Sequence, residues 1–329
     1  MPLLSVIIPM YNEQDALAPL VQRLRPALDD IAESYEVIAV NDGSTDATAS
    51  ILMVMRVSWP QLRVVTLGRN CGHQAALTAG LHRAHGDYAI SIDADLQDPP
   101  EKIAEMLTLA RMSDLDVVYG VRSDRTTDTW LKRGTASLYY RLMRRLVGSK
   151  VSAHAGDFRL LSRKAIELLR GLPEPAPVYR LLVPWLGLPS GAVTYMREKR
   201  VAGRTKYPFG KMLRLATDSV TSFSAAPLRV ATWLGGLGFV VCIAVAIAAV
   251  TAYAAGFTVP GWTSLSVAIS FFGAVQLLCL GLLGEYVSRI YTTVQGRPAY
   301  FIDHDTAATA TADVPAQRKA YSAAAIAED

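Results

Sequence analysis

The sequence predicts an α/β domain built on a mostly parallel sheet, followed by interfacial helices and two membrane-spanning helices. Three observations predict it. Short apolar runs alternate with amphipathic helical patterns from residue 3 to about residue 121. The acidic and polar residues of that region gather just after the strands. From Val230 to Gly284 no charged residue occurs. Strands alternating with helices imply a parallel sheet wrapped by helices, and a long uncharged run implies passage through a bilayer.

The expected strands are 3–8, 35–40, 62–67, 88–92 and 116–119, and the helices between them 14–31, 46–57, 74–84 and 100–110. Ligands in such sheets bind beyond the carboxyl ends of the strands. The unusual residues fall there: Pro9-Met10-Tyr11-Asn12-Glu13, Asn41-Asp42-Gly43-Ser44-Thr45-Asp46, Gly68-Arg69-Asn70 and Asp93-Ala94-Asp95. Four polar loops converging on one edge make a site. Ser44 or Asp46 also suits the cap of the next helix.

The 329 residues suffice for one large domain or two smaller ones. With 33 basic and 29 acidic side chains the net charge is +4, too mild to argue for nucleic acid. Cys71, Cys242 and Cys279 have no metal spacing, and two of them lie in apolar runs, which fits a reducing compartment. The first nine residues lack a basic n-region and a cleavage site, and read as a strand.

Asp93 and Asp95 stand one residue apart where the fourth strand ends, so extended alternation places both on one face. Two adjacent carboxylates repel unless a cation lies between them. Oxygen ligands suit Mg²⁺ or Mn²⁺, which commonly take one or two carboxylates plus substrate phosphates. Neither Gly-x-Gly-x-x-Gly after the first strand nor a P-loop is present, so dinucleotide and P-loop readings lose their support.

Val6-Ile7-Ile8-Pro9-Met10-Tyr11-Asn12-Glu13, Val40-Asn41-Asp42-Gly43-Ser44-Thr45-Asp46 and Asp93-Ala94-Asp95-Leu96-Gln97-Asp98-Pro99-Pro100-Glu101 resemble family-2 glycosyltransferases. Within that family the chain resembles the polyprenyl-phosphate branch, which includes bactoprenol glucosyltransferases and dolichyl-phosphate mannose synthases. The match covers most of residues 3–300. The resemblance implies a GT-A domain and a nucleotide-diphosphate sugar donor. It implies that Pro9, Tyr11, Glu13, Asp42 and Arg69 line the nucleoside pocket. Asp93 would face ribose or metal, and Asp95 and Gln97 would hold the divalent ion. Gly72-His73-Gln74 resembles the bacterial branch more than the mannose synthases.

The resemblance further implies phosphate binding by Arg122 and Arg133, whose guanidinium forks suit donor or lipid phosphate. Lys132-Arg133 opens an expected helix reaching residue 146, with Arg141, Arg144 and Arg145 beside apolar side chains. Such a helix suits a membrane interface. Gly156-Asp157-Phe158-Arg159 matches the family's Asp-Phe-Arg segment, making Asp157 a candidate general base. A lipid phosphate has a second pKa of about 6 and is already ionised at neutral pH. Asp157 is therefore either a base or a group that orients the acceptor or pairs with Arg159 or Arg163. His154 reads as a structural polar residue. Residues 195–207 form an expected basic loop resembling the one that closes over the diphosphate, where Arg200 and Lys206 would neutralise leaving group and acceptor. Thr205 stands where the family more often has serine.

Residues 1–210 are thus expected to form the catalytic domain and 211–229 an amphipathic helix. Two transmembrane helices within 230–284, near 231–255 and 262–283, are followed by an interfacial segment (285–302) and a disordered tail (303–329). Arg229, Arg289 and Arg297 flank the spans and the connecting turn carries no charge. The positive-inside rule then places catalytic domain and both termini in the cytoplasm, at a bacterial inner membrane.

The expected activity is metal-dependent inverting transfer of one sugar, best matched by UDP-glucose, to undecaprenyl phosphate. GDP-mannose and other UDP-sugars remain open as donors. A processive polysaccharide synthase would carry a Gln-x-x-Arg-Trp motif, absent here. A non-enzymatic scaffold would explain the helices but not the four loops. Two-helix relatives suggest a homotetramer by analogy.

Overall fold

The computed structural model describes residues 2–123, 155–172, 174, 177–196, 226–256 and 261–307. They fall into two compact units, one holding the sheet and one holding two long helices.

The sheet unit begins with β1 (Leu4–Met10), buried at every position. It continues through α1 (Gln14–Asp29), β2 (Tyr35–Asn41), α2 (Thr48–Ser58), β3 (Leu62–Leu67), α3 (His73–Arg83), β4 (Tyr88–Ser91), α4 (Lys102–Met112) and β5 (Val117–Arg122). These follow the sequence expectation to within a few residues. Beyond it lie β6 (Ala155–Ser162), α5 (Arg163–Arg170), α6 (Tyr179–Trp185), β7 (Ser190–Tyr195) and β8 (Ile302–Asp305).

The strand order is β7-β5-β6-β4-β1-β2-β3-β8. β4, β1, β2 and β3 run parallel, as do β5 and β7. β6 lies antiparallel between β4 and β5, and β8 antiparallel on the β3 edge. The order reverses at β1, flanked by β2 and β4, so a crevice opens at the carboxyl ends of those strands. α1 buries Leu17, Leu20, Leu24 and Leu28 at helical spacing, each contributing about 1.5–3 kcal/mol of apolar burial. α3 crosses β1 and β2 so closely that a Cβ at Gly80 would lie 2.3 Å from Ile7 Cγ2. That approach sets the first residues of α3 against the crevice.

β8 corrects the expected domain and tail boundaries. Residues 303–305 are strand, not tail, and the sheet unit takes its edge strand from beyond the helical unit. Arg63 of β3 holds Asp305, which explains how so polar a strand is retained.

In the helical unit, α7 (Ala226–Ala254) and α8 (Trp262–Val294) pack antiparallel. Ala231 meets Cys279 near one level, and Gly238 meets the Phe272 ring further along. Among the described residues one segment, Phe271–Val294, is long and apolar enough to cross a membrane, and the apolar stretch in α7 is the shorter Ala231–Val241. α8 also runs on to Val294, through most of the expected interfacial segment. The expected helix near residues 132–146, most of the 211–229 helix, and residues 308–329 lie outside the described residues.

Candidate functional site

The loops after β1 and β2 are zipped together. The Asn12 amide donates to Ser44 Oγ at 3.0 Å, and the Thr45 amide donates to Asn12 Oδ1 at 2.8 Å. The Glu13 amide donates to Thr48 Oγ1 at 3.0 Å. Asp46 accepts from the Thr48 amide at 3.0 Å, just before α2, whose N-cap position is Ala47. Asn12 takes the left-handed conformation (φ 53°), which asparagine tolerates better than most residues.

Asp42 ties the second loop to the third. Its Oδ1 accepts from the Cys71 amide at 2.6 Å and its Oδ2 from the Gly72 amide at 2.9 Å. Burial raises its carboxyl above the ordinary value, against those two bonds. Both oxygens, expected at a nucleoside, are thus engaged by backbone. Gly43 (φ 62°) lies against this join, where a Cβ would come within 2.5 Å of the Arg69 carbonyl carbon. Pro9 is buried within β1, Tyr11 and Glu13 are half-buried at its end, and Arg69 is exposed. The four-loop edge inferred from sequence is therefore one interlocked rim at β1, β2 and β3, with the acidic turn beside it.

Asp93 lies two residues past the end of β4, after Ile92. The strand has ended at Ser91 and residues 94–96 turn, with Leu96 at φ 56°. The turn, not strand alternation, therefore positions Asp93 and Asp95. Asp95 Oδ1 accepts from the Gln97 amide at 3.1 Å. Burial pushes the Asp93 carboxyl up to about 6, with Asp157, Asp98 and Asp95 adding to the rise and His73 opposing it. Among the described residues no three His, Cys, Asp or Glu side chains form a ready metal site. The two carboxylates and the side-chain carbonyl of Gln97 are hard oxygen donors, of the kind that fits a divalent ion completed by substrate phosphate.

β6 brings Asp157 beside this turn. Ser91 Oγ donates to the Asp157 carbonyl. The Asp157 carboxylate meets Arg159 Nη2 at 2.5 Å, Arg180 Nη2 at 3.4 Å and His73 Nε2 at 3.7 Å. Burial favours its neutral form, but His73, Arg159 and Arg180 outweigh that and hold the carboxyl far below its usual range. His73 also lies 3.9 Å from Asp93 Oδ1. Burial disfavours its charge, yet Asp157 and Asp93 raise its pKa. Arg159 is 2% exposed, so Asp157 is its counter-charge in the core. Arg163, the other partner considered from sequence, instead donates to the carbonyls of Ala84 and Gly86.

Arg122 does not stand alone at the end of β5. Its Nε donates to Tyr195 Oη at 3.3 Å, and Tyr195 donates to Asp98. Arg133, Arg200 and Lys206 lie outside the described residues. His73, Arg180 and Tyr195 were missed as site residues. Only the Gly72-His73-Gln74 element carried a signal, and Arg180 and Tyr195 reach the site through α6 and β7, which the periodicity did not reveal.

Glucosyl-3-phosphoglycerate synthase from Mycobacterium tuberculosis, solved with Mn²⁺, UDP-glucose and glycerol 3-phosphate, aligns with a TM-score of 0.45 at 20% identity, over 67% of this chain and 78% of that one. The glycosyltransferase YkcC of Bacillus subtilis is 40% identical over 305 residues, 91% of this chain and 92% of its own. The SfII prophage-derived bactoprenol glucosyl transferase of Shigella flexneri is 39% identical over 302 residues, 91% of this chain and 97% of its own. The GtrB C-terminal hairpin model matches residues 226–290, which contain α7 and most of α8. The Glycosyl transferase family 2 model matches residues 5–170, from β1 through α5. The chain belongs to glycosyl transferase family 2 and is a glycosyltransferase.

Proposed function

We propose that this glycosyltransferase moves one glucose from UDP-glucose to a polyprenyl phosphate, with inversion, at the cytoplasmic face of a bacterial inner membrane. The observation that carries this reading is the likeness to a bactoprenol glucosyl transferase, which spans sheet unit and helical hairpin alike. The hairpin supports a membrane location. Leu237, Phe239, Phe271, Leu277 and Ile290 are each more than half exposed, and so much open apolar surface suits lipid.

The interlocked loops after β1, β2 and β3 form the nucleoside side of the crevice, with Pro9, Tyr11, Glu13 and Arg69 at its rim and Asp42 holding its floor together. Asp93, Asp95 and Gln97 would hold a divalent ion, Mg²⁺ or Mn²⁺, which would supply positive charge against the donor diphosphate. A lipid phosphate oxygen attacks the anomeric carbon. The bond to the diphosphate breaks, and UDP departs with the bonding electrons. Arg200 and Lys206 neutralise the departing charge, while Arg133 meets lipid phosphate. The acceptor is ionised already, so no base is required. Asp157, held ionised by His73, Arg159 and Arg180, orients the acceptor side of the crevice instead. A homotetramer, by analogy with two-helix relatives, completes the reading.

The test is incubation of detergent-purified protein with undecaprenyl phosphate, Mg²⁺ or Mn²⁺ and a panel of nucleotide sugars, with lipid products read by mass spectrometry. A single-hexose lipid formed from UDP-glucose and lost with EDTA is expected. Product from another donor would overturn the donor assignment. No lipid product from any donor, with donor binding intact, would overturn the acceptor.

A further inference from the structure

β8 reaches past the strand it pairs with. Its ladder with β3 sets Val65 opposite Asp305 and Thr66 opposite His304, then slips by one residue so that Leu67 faces Ile302. On the first register Gly68 would face Ile302, whereas after the slip Phe301 comes to it. The Gly68 amide donates to the Phe301 carbonyl at 3.0 Å. Such irregularities bend a strand and are over-represented beside active sites. The bond lies beyond the end of β3, on the first residue of the loop that runs through Arg69 and Gly72 into α3.

The same segment holds α3. Tyr300 Oη lies 3.0 Å from His82 Nδ1, with the ring centroids 6.4 Å apart. Burial, with Arg170 and Arg83 nearby, lowers the His82 pKa, so the ring is neutral and the contact is an uncharged hydrogen bond. Arg83 Nε stands 3.6 Å from Asp305 Oδ2. Covering a sheet edge accounts for the pairing with β3 but not for contacts with the loop and the helix. Apolar burial accounts for them no better. Of the four residues of β8 only Ile302 is apolar, and Phe301 before it is 61% exposed.

The far end of the loop is fixed from another side. Asp42 accepts from the Cys71 and Gly72 amides, and His73, the first residue of α3, stands between Asp93 and Asp157. Arg69 and Asn70 thus span a short gap anchored at Gly68 by Phe301 and at Cys71 by Asp42. Their backbone lies so close to Gly43 that a Cβ there would meet it within 2.5–2.6 Å. We propose that Tyr300–Asp305 is a positioning strap that fixes the Gly68–Gly72 loop and α3 against the crevice, so that binding of the nucleoside end of the donor depends on a strand returning after the helical hairpin. This rests on the proposed function above and deepens it. Tyr300 and Phe301 are positioning residues that touch no substrate.

The test compares full-length wild type, the double variant Phe301→Gly with Ile302→Gly, and Tyr300→Phe in detergent, by three readouts. Hydrogen exchange read by mass spectrometry follows residues 66–72, calorimetry gives the Kd for UDP, and glycolipid formation gives kcat and KM for UDP-glucose. The double variant leaves the Arg63–Asp305 pair in place. Its exchange at 66–72 is expected to quicken about tenfold while β1 and β2 exchange as in wild type. Its Kd for UDP and KM for UDP-glucose are expected to rise about fivefold, with kcat within about twofold of wild type. Tyr300→Phe keeps the ring contact and is expected to weaken UDP binding by about threefold. Exchange at 66–72 at the wild-type rate overturns the strap, as does faster exchange with unchanged UDP affinity. Equal quickening throughout the sheet overturns positioning, since it would show general stabilisation instead. Wild type that binds UDP but forms no glycolipid overturns the functional reading alone, because exchange and UDP affinity still decide whether the strap exists.

Discussion

Arg63 and Asp305, 242 positions apart in the chain, meet in a two-pronged ion pair, Nε to Oδ1 at 2.8 Å and Nη2 to Oδ2 at 2.6 Å. Arg83 stands 3.6 Å from the same carboxylate. The pair joins β3 to β8 and closes the chain back onto the sheet after the helical hairpin. Its side chains are only 11% and 3% exposed, so removing one partner strands a charge. Asp305→Ala is expected to lower stability by about 3–5 kcal/mol. The double replacement Arg63→Met with Asp305→Leu should cost clearly less. Denaturant titration of the purified variants checks both, and equal losses would refute the pairing argument.

The same carboxylate sets a pH dependence. Burial raises the Asp305 pKa, but the Arg63 hydrogen bonds, the Ala307 amide and the Arg63 and Arg83 charges outweigh it and hold the value below the ordinary 3.8. A depressed folded-state value means stability that is present above the unfolded pKa and lost as pH falls through the folded one. The Tm gap between wild type and Asp305→Asn should therefore be full at neutral pH and shrink below about pH 4. A gap that widened in acid would contradict the assignment.

Gly43 and Gly72 make a matched pair for the donor rim. Both have positive φ, but a Cβ at Gly43 would strike the Arg69 and Asn70 backbone, whereas one at Gly72 meets nothing within 4 Å. Gly43→Ala adds a clash to the backbone strain, and Gly72→Ala adds strain alone, of order 1–3 kcal/mol. UDP affinity measured by calorimetry should fall at least tenfold in Gly43→Ala and less in Gly72→Ala. The reverse ranking would show that the Asp42-held join does not shape the site.

Asp42→Ala leaves the Cys71 and Gly72 amides without their carboxylate, a loss of about 1–3 kcal/mol. The expected outcome is weaker UDP binding with the sheet intact by circular dichroism. Wild-type affinity in this variant would remove Asp42 from the floor of the pocket.

Asp95→Ala should abolish turnover while thermal unfolding stays near wild type, because Asp95 is half-buried at the crevice rather than in the core. On the proposed reading, in which Asp157 stays ionised and orients the acceptor, Asp157→Asn should retain the acidic limb of the pH–rate profile. A fully active Asp95→Ala would sink the divalent-ion assignment.

Composition, periodicity and motif spacing were enough to read β1 through β5, α1 through α4, the acidic turn, and the apolar character of residues 230–284. Local physics governs each of these: buried parallel strands are continuous apolar runs, helices show their stripe, and carboxylates after a strand stand out. The tertiary structure alone decided where distant segments return. β6 slots antiparallel between β4 and β5, and so brings Asp157 to Asp93 and His73. β8 is four residues long and carries three polar side chains, so no local pattern marks it, and it exists because the β3 edge and Arg63 receive it. Tyr195 reads as the first residue of a basic loop until β7 lies beside β5 and its hydroxyl meets Asp98. Periodicity reports which face of a segment is buried, whereas pairings across large sequence separations depend on the free energy of the whole assembled sheet.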